Sequence, residues 1–233
     1  MLVTLADVSK GRRGLALPST SLVYRSGRAT LAIAETEQRP TVLGLIATGR
    51  MRPDTGTVTI DGVSRPRDLR RRAALVDAPD VSEPAPNIAL AGVVAEELMF
   101  AGLPSDPLAA RRWLDAQGLR HLSRVPIADV APVDRLRVLL ELAARRPGVD
   151  ALVLVSPDRH GAEPSQWWPL AEEFAGRGLA VLVIAGRTAA AVVAETVGGA
   201  GRGRRPRASS IRIRGRRGHL AGRPAGHMGG GAR

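Results

Sequence analysis

Side chains able to do chemistry are few in this 233-residue sequence, and most are widely spaced. His121, His160, His219 and His227 lack the spacing of a metal-ligand set. Cysteine is absent, which excludes a disulfide framework, a thiolate zinc site and a cysteine nucleophile. The densest functional run is Asp158-Arg159-His160, a carboxylate, a guanidinium and an imidazole just after an apolar stretch. Its simplest arrangement is a polar turn capped by its own side chains. A second run, Ala34-Glu35-Thr36-Glu37-Gln38-Arg39-Pro40-Thr41-Val42, sets two acids beside one cation and two hydroxyls. Lys10 is the only lysine, and every other basic side chain is arginine. Trp113, Trp167 and Trp168 are expected to pack in the core rather than to bind a ligand.

The elements that must position these groups follow from hydrophobic patterning. Leu31-Ala32-Ile33-Ala34, Ala151-Leu152-Val153-Leu154-Val155 and Ala180-Val181-Leu182-Val183-Ile184 are continuous apolar runs, as expected of parallel strands buried on both faces. Ala73-Ala74-Leu75-Val76 is a shorter one. Thr57-Val58-Thr59-Ile60 alternates and ends at Asp61-Gly62, which predicts a solvated antiparallel strand whose partners come from residues 2–8 and 21–24. Helices are predicted over residues 40–48, 90–100, 107–117, 133–146 and 166–175. In the second of these, Leu90, Val93, Val94 and Leu98 share a face. Interleaved strands and helices give an α/β core with a mostly parallel sheet. Residues 84–146 contain no strand pattern and form a helical lobe.

The formal net charge is +12, but residues 198–233 hold ten arginines and no acid, which leaves residues 1–197 near +2. That segment is rich in glycine, arginine and proline without apolar periodicity, so it is predicted to be a disordered tail. Its arginines would attract nucleic acid or anionic lipid in a salt-sensitive way. It has no aromatic residue for base stacking, and no specific nucleic-acid partner is expected. No apolar run approaches the ~18 residues of a membrane span, and residues 1–7 do not resemble a signal peptide. A cytoplasmic protein is the reading these features support.

The run Gly44-Leu45-Ile46-Ala47-Thr48-Gly49-Arg50-Met51-Arg52-Pro53-Asp54-Thr55-Gly56-Thr57-Val58-Thr59-Ile60-Asp61-Gly62 resembles the stretch after the phosphate loop in ABC transporter ATP-binding subunits. There a short helix gives way to a Pro-Asp-x-Gly turn and an antiparallel strand. Asp7-Val8-Ser9-Lys10 and Ser21-Leu22 resemble the family's first strands, and residues 70–76 its approach to the glutamine loop. Ala143-Ala144-Arg145-Arg146-Pro147, with the following strand and Ser156-Pro157, resembles the passage from signature helix to Walker B strand. The resemblance covers residues 1–197. It implies a P-loop NTPase-like domain with a mostly parallel core sheet, an antiparallel β-subdomain and a helical lobe.

The residues that handle ATP in that family are replaced. A phosphate loop uses glycines so that backbone N–H groups wrap the phosphates, and a lysine to reach the β- and γ-phosphates. Residues 34–42 contain no glycine, and Pro40 aligns with the lysine. Thr41 matches the magnesium-binding hydroxyl, and Arg39 supplies a neighbouring cation. Glu35 or Glu37 is expected either to occupy the phosphate position at the helix N-terminus or to point into solvent. Val155 and Ser156 stand where the family has the magnesium aspartate and the water-positioning glutamate. The signature aligns with Asp129-Val130-Ala131-Pro132-Val133 and the glutamine loop with Asp77 or Ala78. The switch histidine aligns with Gly186 or Arg187, and the base-stacking aromatic with Gly11, Arg12 or Arg13.

The resemblance implies head-to-tail pairing, as a homodimer or with another ABC subunit, in which both composite sites would lack essential parts. The expectation is a non-hydrolysing structural or regulatory subunit that docks on a membrane permease, peripheral at the inner face of the cell membrane. Met99 and Phe100 lie in the lobe where such subunits meet their membrane partners. No cofactor is expected, ATP with magnesium being the alternative. The rival is an unorthodox ATPase that uses Arg39, Thr41 and His160.

Overall fold

A computed structural model describes residues 1–35 and 39–200. Three strands, β1 (Leu2–Lys10), β2 (Leu17–Arg25) and β4 (Thr55–Ile60), form an antiparallel sheet in the order β2-β1-β4. Four more, β3 (Arg28–Ile33), β5 (Ala73–Val76), β6 (Ala151–Val155) and β7 (Ala180–Ala185), form a parallel sheet in the order β3-β7-β6-β5. β5, β6 and β7 are buried along their whole length, so both faces of that part of the sheet are covered.

Parallel neighbours need crossover connections, and helices supply them. Helix α1 (Arg39–Ala47) follows β3, and α2 (Pro66–Arg72) leads into β5. The lobe between β5 and β6 contains α3 (Leu90–Phe100), α4 (Pro107–Ala116) and α5 (Pro132–Ala144), with no strand among these residues. Helices α6 (Pro164–Gly176) and α7 (Arg187–Ala200) flank β7 in sequence. Proline opens α2, α4, α5 and α6, where its missing N–H costs nothing. Asp106 caps α4 by accepting from Leu108 N and Ala109 N.

Two apolar cores result. One joins the helical side of the parallel sheet to α3, α5 and α6 around Trp167, Phe174 and Leu140. The other wraps α1 between the two sheets, with Leu43, Ile46 and Tyr24 fully buried. The Tyr24 hydroxyl donates to the Ala47 carbonyl at 2.6 Å, and burial raises its pKa well above the ordinary tyrosine value. α1 lies so close to the sheet that a Cβ on Gly44 would stand 2.9 Å from side-chain atoms of Leu75 and of Val155.

The strands, the lobe and the shared face of α3 agree with the sequence reading, and ends differ by a few residues. Helix α2 is additional; its one buried side chain, Leu69, leaves no apolar periodicity to read. Helix α7, also additional, runs through Ala200, past residue 198 where the tail is expected to begin. The rest of that expectation lies outside the described residues. Among the described residues no helix is long and apolar enough to cross a membrane.

Candidate functional site

The pairing of Ile33 with Ala185, Val155 with Ile184 and Val76 with Leu154 brings the C-terminal ends of all four parallel strands to one edge. That edge is where open α/β sheets place their ligands. It gathers residues 34–35, 39–41, 77–83, 156–160 and 186–187, which include the phosphate-loop, glutamine-loop, Walker B and switch positions singled out in the sequence.

Glu35 follows β3, and its carboxylate crosses to the start of α7. It accepts from the Arg187 backbone N–H at 3.0 Å and from the Arg187 Nε at 2.9 Å. This corrects both expectations for Glu35. It neither stands in for a phosphate at the N-terminus of α1 nor points free into solvent; the helix end it serves is that of α7. Glu37 lies outside the described residues. Arg39 opens α1, half-buried, and its Nε is buried without a hydrogen-bond partner among the described residues. Thr41 sits half-buried in the first turn of the same helix.

A larger network joins β5, α5 and the turn after β6. Asp77 directly follows β5 in the left-handed region (φ 53), where a short polar side chain is tolerated. Its carboxylate is fully buried and receives Arg135 Nη2 at 2.6 Å and Arg135 Nε at 3.4 Å. Arg135 belongs to α5 and is itself 2% exposed, so this is a two-point pair in a site of low dielectric. The 3-10 turn Pro157–His160 adds to it. Arg159 donates to the Asp77 carbonyl at 3.3 Å and pairs with Glu83 at 2.9 Å. His160 Nε2 lies 3.5 Å from both Asp77 Oδ2 and Glu83 Oε1.

Asp158-Arg159-His160 is therefore not a self-capped turn: two of its three side chains tie β6 to the segment after β5. Burial lowers the His160 pKa. Asp77 raises it in part, and Arg135 and Arg159 lower it again. The ligating atoms of Asp77, Glu83 and His160 lie within 4.8 Å of one another, a spacing a metal would accept. Two guanidinium groups already hold these carboxylates, so the cluster is a mixed ion-pair network. Glu83 and Arg135 escaped the sequence reading, since nothing in the sequence links Arg135 to Asp77, 58 positions away in the chain.

The remaining positions hold ordinary structural parts. Ser156 is left-handed (φ 47), and its N–H donates to the Ile184 carbonyl at 2.8 Å. Val155 is buried and carries no metal-binding atom. Asp129 ends a 3-10 turn and Pro132 opens α5. Lys10 Nζ pairs with Asp54 at 2.6 Å and donates to the Arg52 carbonyl, which pins the end of β1 to the Pro-Asp turn. Arg12 and Arg13 lie in a short 3-10 turn between β1 and β2. Trp167 and Trp168 are buried as expected, with their rings edge-on.

No protein-family model and no curated protein sequence matches the chain. Solved structures do. The cbiO1 subunit from Clostridium perfringens, part of the ABC transporter complex cbiONQ, superposes with a TM-score of 0.55 at 18% identity, over 79% of this chain and 77% of that one. An ATP-binding subunit of an ABC transporter gives 0.55 at 17% identity, covering 82% of each chain. An ABC transporter ATP-binding protein from Pyrococcus furiosus gives 0.59 at 13% identity, over 80% and 92%. The chain thus has the fold of an ABC transporter ATP-binding subunit.

Proposed function

We propose that this protein is a non-hydrolysing ABC-type subunit, a structural or regulatory partner that docks on a membrane permease. One observation carries the reading: side chains at the positions that handle nucleotide in the family are bonded to one another. Glu35, at the phosphate-loop position, holds Arg187 at the switch position. Asp77, at the glutamine-loop position, is held by Arg135 of the signature helix.

The residues present do not fit magnesium ATP held for hydrolysis. Pro40 offers neither an ammonium nor an N–H, and Val155 and Ser156 offer no carboxylate to a magnesium shell. Loss of a single transition-state contact costs roughly 10²–10³ in rate, and several are missing together. Docking is supported by the apolar corner of the helical lobe. Met99 is 57% exposed and Phe100 55% exposed at the end of α3, with Leu108 exposed at the start of α4. The solved cbiO1 is itself part of a transporter complex. Such a contact would hold the protein at the inner face of the membrane; among the described residues no helix is long and apolar enough to cross it.

A second reading rests on Arg39, whose buried Nε has no hydrogen-bond partner among the described residues. A cationic donor left open at the phosphate-loop position, next to the Thr41 hydroxyl, suits an unorthodox ATP-binding subunit that energises transport. Calorimetric titration of the full chain with ATP, with and without magnesium, separates the two. The structural reading expects no saturable, magnesium-dependent heat up to millimolar ATP. Saturable magnesium-dependent binding that Arg39→Ala abolishes would overturn it.

A further inference from the structure

At the opposite end of α1 from the phosphate-loop position lies a groove of about 540 Å³. Nine helical residues separate the two ends, about 13 Å along the axis. The groove runs between the turn that leaves α1, strand β4 and the start of α2, and none of the described residues of the phosphate-loop position lines it. Its floor is apolar, with Ile46 and Leu69 buried and Met51 and Val58 half-buried. Four arginines line it: Arg50, Arg52, Arg65 and Arg70.

These cations are poorly neutralised. Arg50 is half-buried and donates only to the carbonyls of Ala73, at 2.7 Å, and Thr48, at 3.3 Å. Arg70 donates to the Gly49 carbonyl. Among the described residues, neither these two nor Arg52 has a carboxylate within ion-pair distance, and Arg65 reaches Asp68 only at 3.9 Å. The one acid in the lining, Asp54, is already engaged by Lys10 at 2.6 Å and by the Gly11 N–H at 2.8 Å. Burial lowers the Arg50 pKa, and the nearby charges of Arg146 and Arg70 lower it further. A half-buried guanidinium among like charges is costly unless an anion joins it.

We propose that this groove binds a phosphate monoester, the phosphate among Arg52, Arg65 and Arg70 and an apolar substituent over Met51, Val58 and Leu69. A phosphate brings close to two negative charges and several strong acceptor oxygens that match guanidinium forks. A monocarboxylate neutralises less of the cluster, and inorganic phosphate leaves the apolar floor uncovered. The ester is free in solution or the headgroup of an anionic lipid; both present the same chemistry. The groove is separate from the nucleotide position of the fold, so this site stands whether or not ATP binds.

The test is calorimetric titration of the full chain with hexyl phosphate and with hexanoate. It is paired with sedimentation against vesicles that contain phosphatidic acid. The same measurements are made on Arg52→Glu/Arg65→Glu, two exposed side chains whose reversal leaves the packing of α2 intact, with thermal unfolding as the check on folding. Hexyl phosphate is expected to bind saturably and more tightly than hexanoate, and to weaken about tenfold or more in the double variant. Vesicle binding that the double variant loses assigns the lipid source, and its absence beside hexyl phosphate binding assigns the soluble one. Equal affinity in the double variant would place the binding on the arginine-rich residues after 200 and overturn the proposal, as would no saturable binding.

Discussion

The Glu35 carboxylate grips both the backbone N–H and the guanidinium of Arg187, at 3.0 and 2.9 Å, and so links the end of β3 to the first turn of α7. The two strands these residues follow are hydrogen-bonded neighbours. The bridge spans the edge between them and caps α7 with a negative charge at its positive end.

Glu35→Ala should destabilise the fold by about 0.5–1 kcal/mol, the worth of a helix cap with a mostly exposed ion pair. Urea unfolding reads this as a lower midpoint at unchanged slope. An unchanged midpoint would mean that the carboxylate is not engaged in solution. On the proposed non-hydrolysing reading, the variant should show no magnesium-dependent ATP binding, because removing one acid supplies neither the lysine nor the glycines.

Asp77 and Arg135 make a buried pair, and breaking it from one side leaves a charge without its partner. Arg135→Leu should cost about 3–5 kcal/mol. Part of that loss is recovered in Arg135→Leu/Asp77→Asn, because asparagine keeps the left-handed backbone while removing the stranded charge. Chemical denaturation of the two variants checks the order. A double variant less stable than Arg135→Leu would show that Arg159 and His160 already neutralise Asp77 by themselves.

His160 gives this network a pH dependence of known sign. Its folded pKa lies below its ordinary value of 6.5, so the unfolded chain binds the proton more readily. The contribution of the neutral ring is complete above that value, is eroded as pH falls through it and levels off below the folded pKa. Burial is the main cause of the shift; Asp77 and Glu83 oppose it, and Arg135 and Arg159 reinforce it. Comparing His160→Gln with the parent chain between pH 7.5 and 5 should show the parent losing stability more steeply. Parallel curves would count against a depressed histidine.

How much of this was legible in the sequence depends on the range of the interaction. Apolar runs such as Ala151-Leu152-Val153-Leu154-Val155 announce buried strands because burial on both faces leaves no room for alternation. The four shared-face residues of α3 are all buried, as their spacing required. The site was legible as a set of positions, since the phosphate-loop, glutamine-loop, Walker B and switch positions each lie just after a parallel strand and those strand ends converge. Its bonding was not. Arg135 reads as one more arginine in a helix of mixed charge, and only the packing of α5 against β5 aims it at Asp77. Glu35 misled for the same reason, because the nearest helix N-terminus in sequence is α1 while the nearest in space belongs to α7.

Gly56 stands where only glycine fits. Its φ is 77, and a Cβ there would lie 2.3 Å from the Ala6 carbonyl oxygen, beside a bulge where Asp7 is left-handed. Gly56→Ala should therefore cost about 2–4 kcal/mol, from the left-handed backbone and the clash together. Thermal unfolding checks it. A loss below about 0.5 kcal/mol would show that β1 and β4 can separate at this point without penalty.

The apolar corner of the helical lobe ties the fold to the proposed role. Met99 and Leu108 are each more than half exposed and contribute little to the core, so Met99→Asp/Leu108→Asp should change stability by no more than about 0.5–1 kcal/mol. If this corner seats a permease, the same variant should release the protein from the membrane fraction of its native cells while the parent chain remains bound. Salt separates this attachment from adsorption through arginines: screening strips an electrostatic contact and spares an apolar one. Retention of the double variant on membranes in high salt would exclude this corner as the docking face. The permease contact would then have to lie on another surface of the chain.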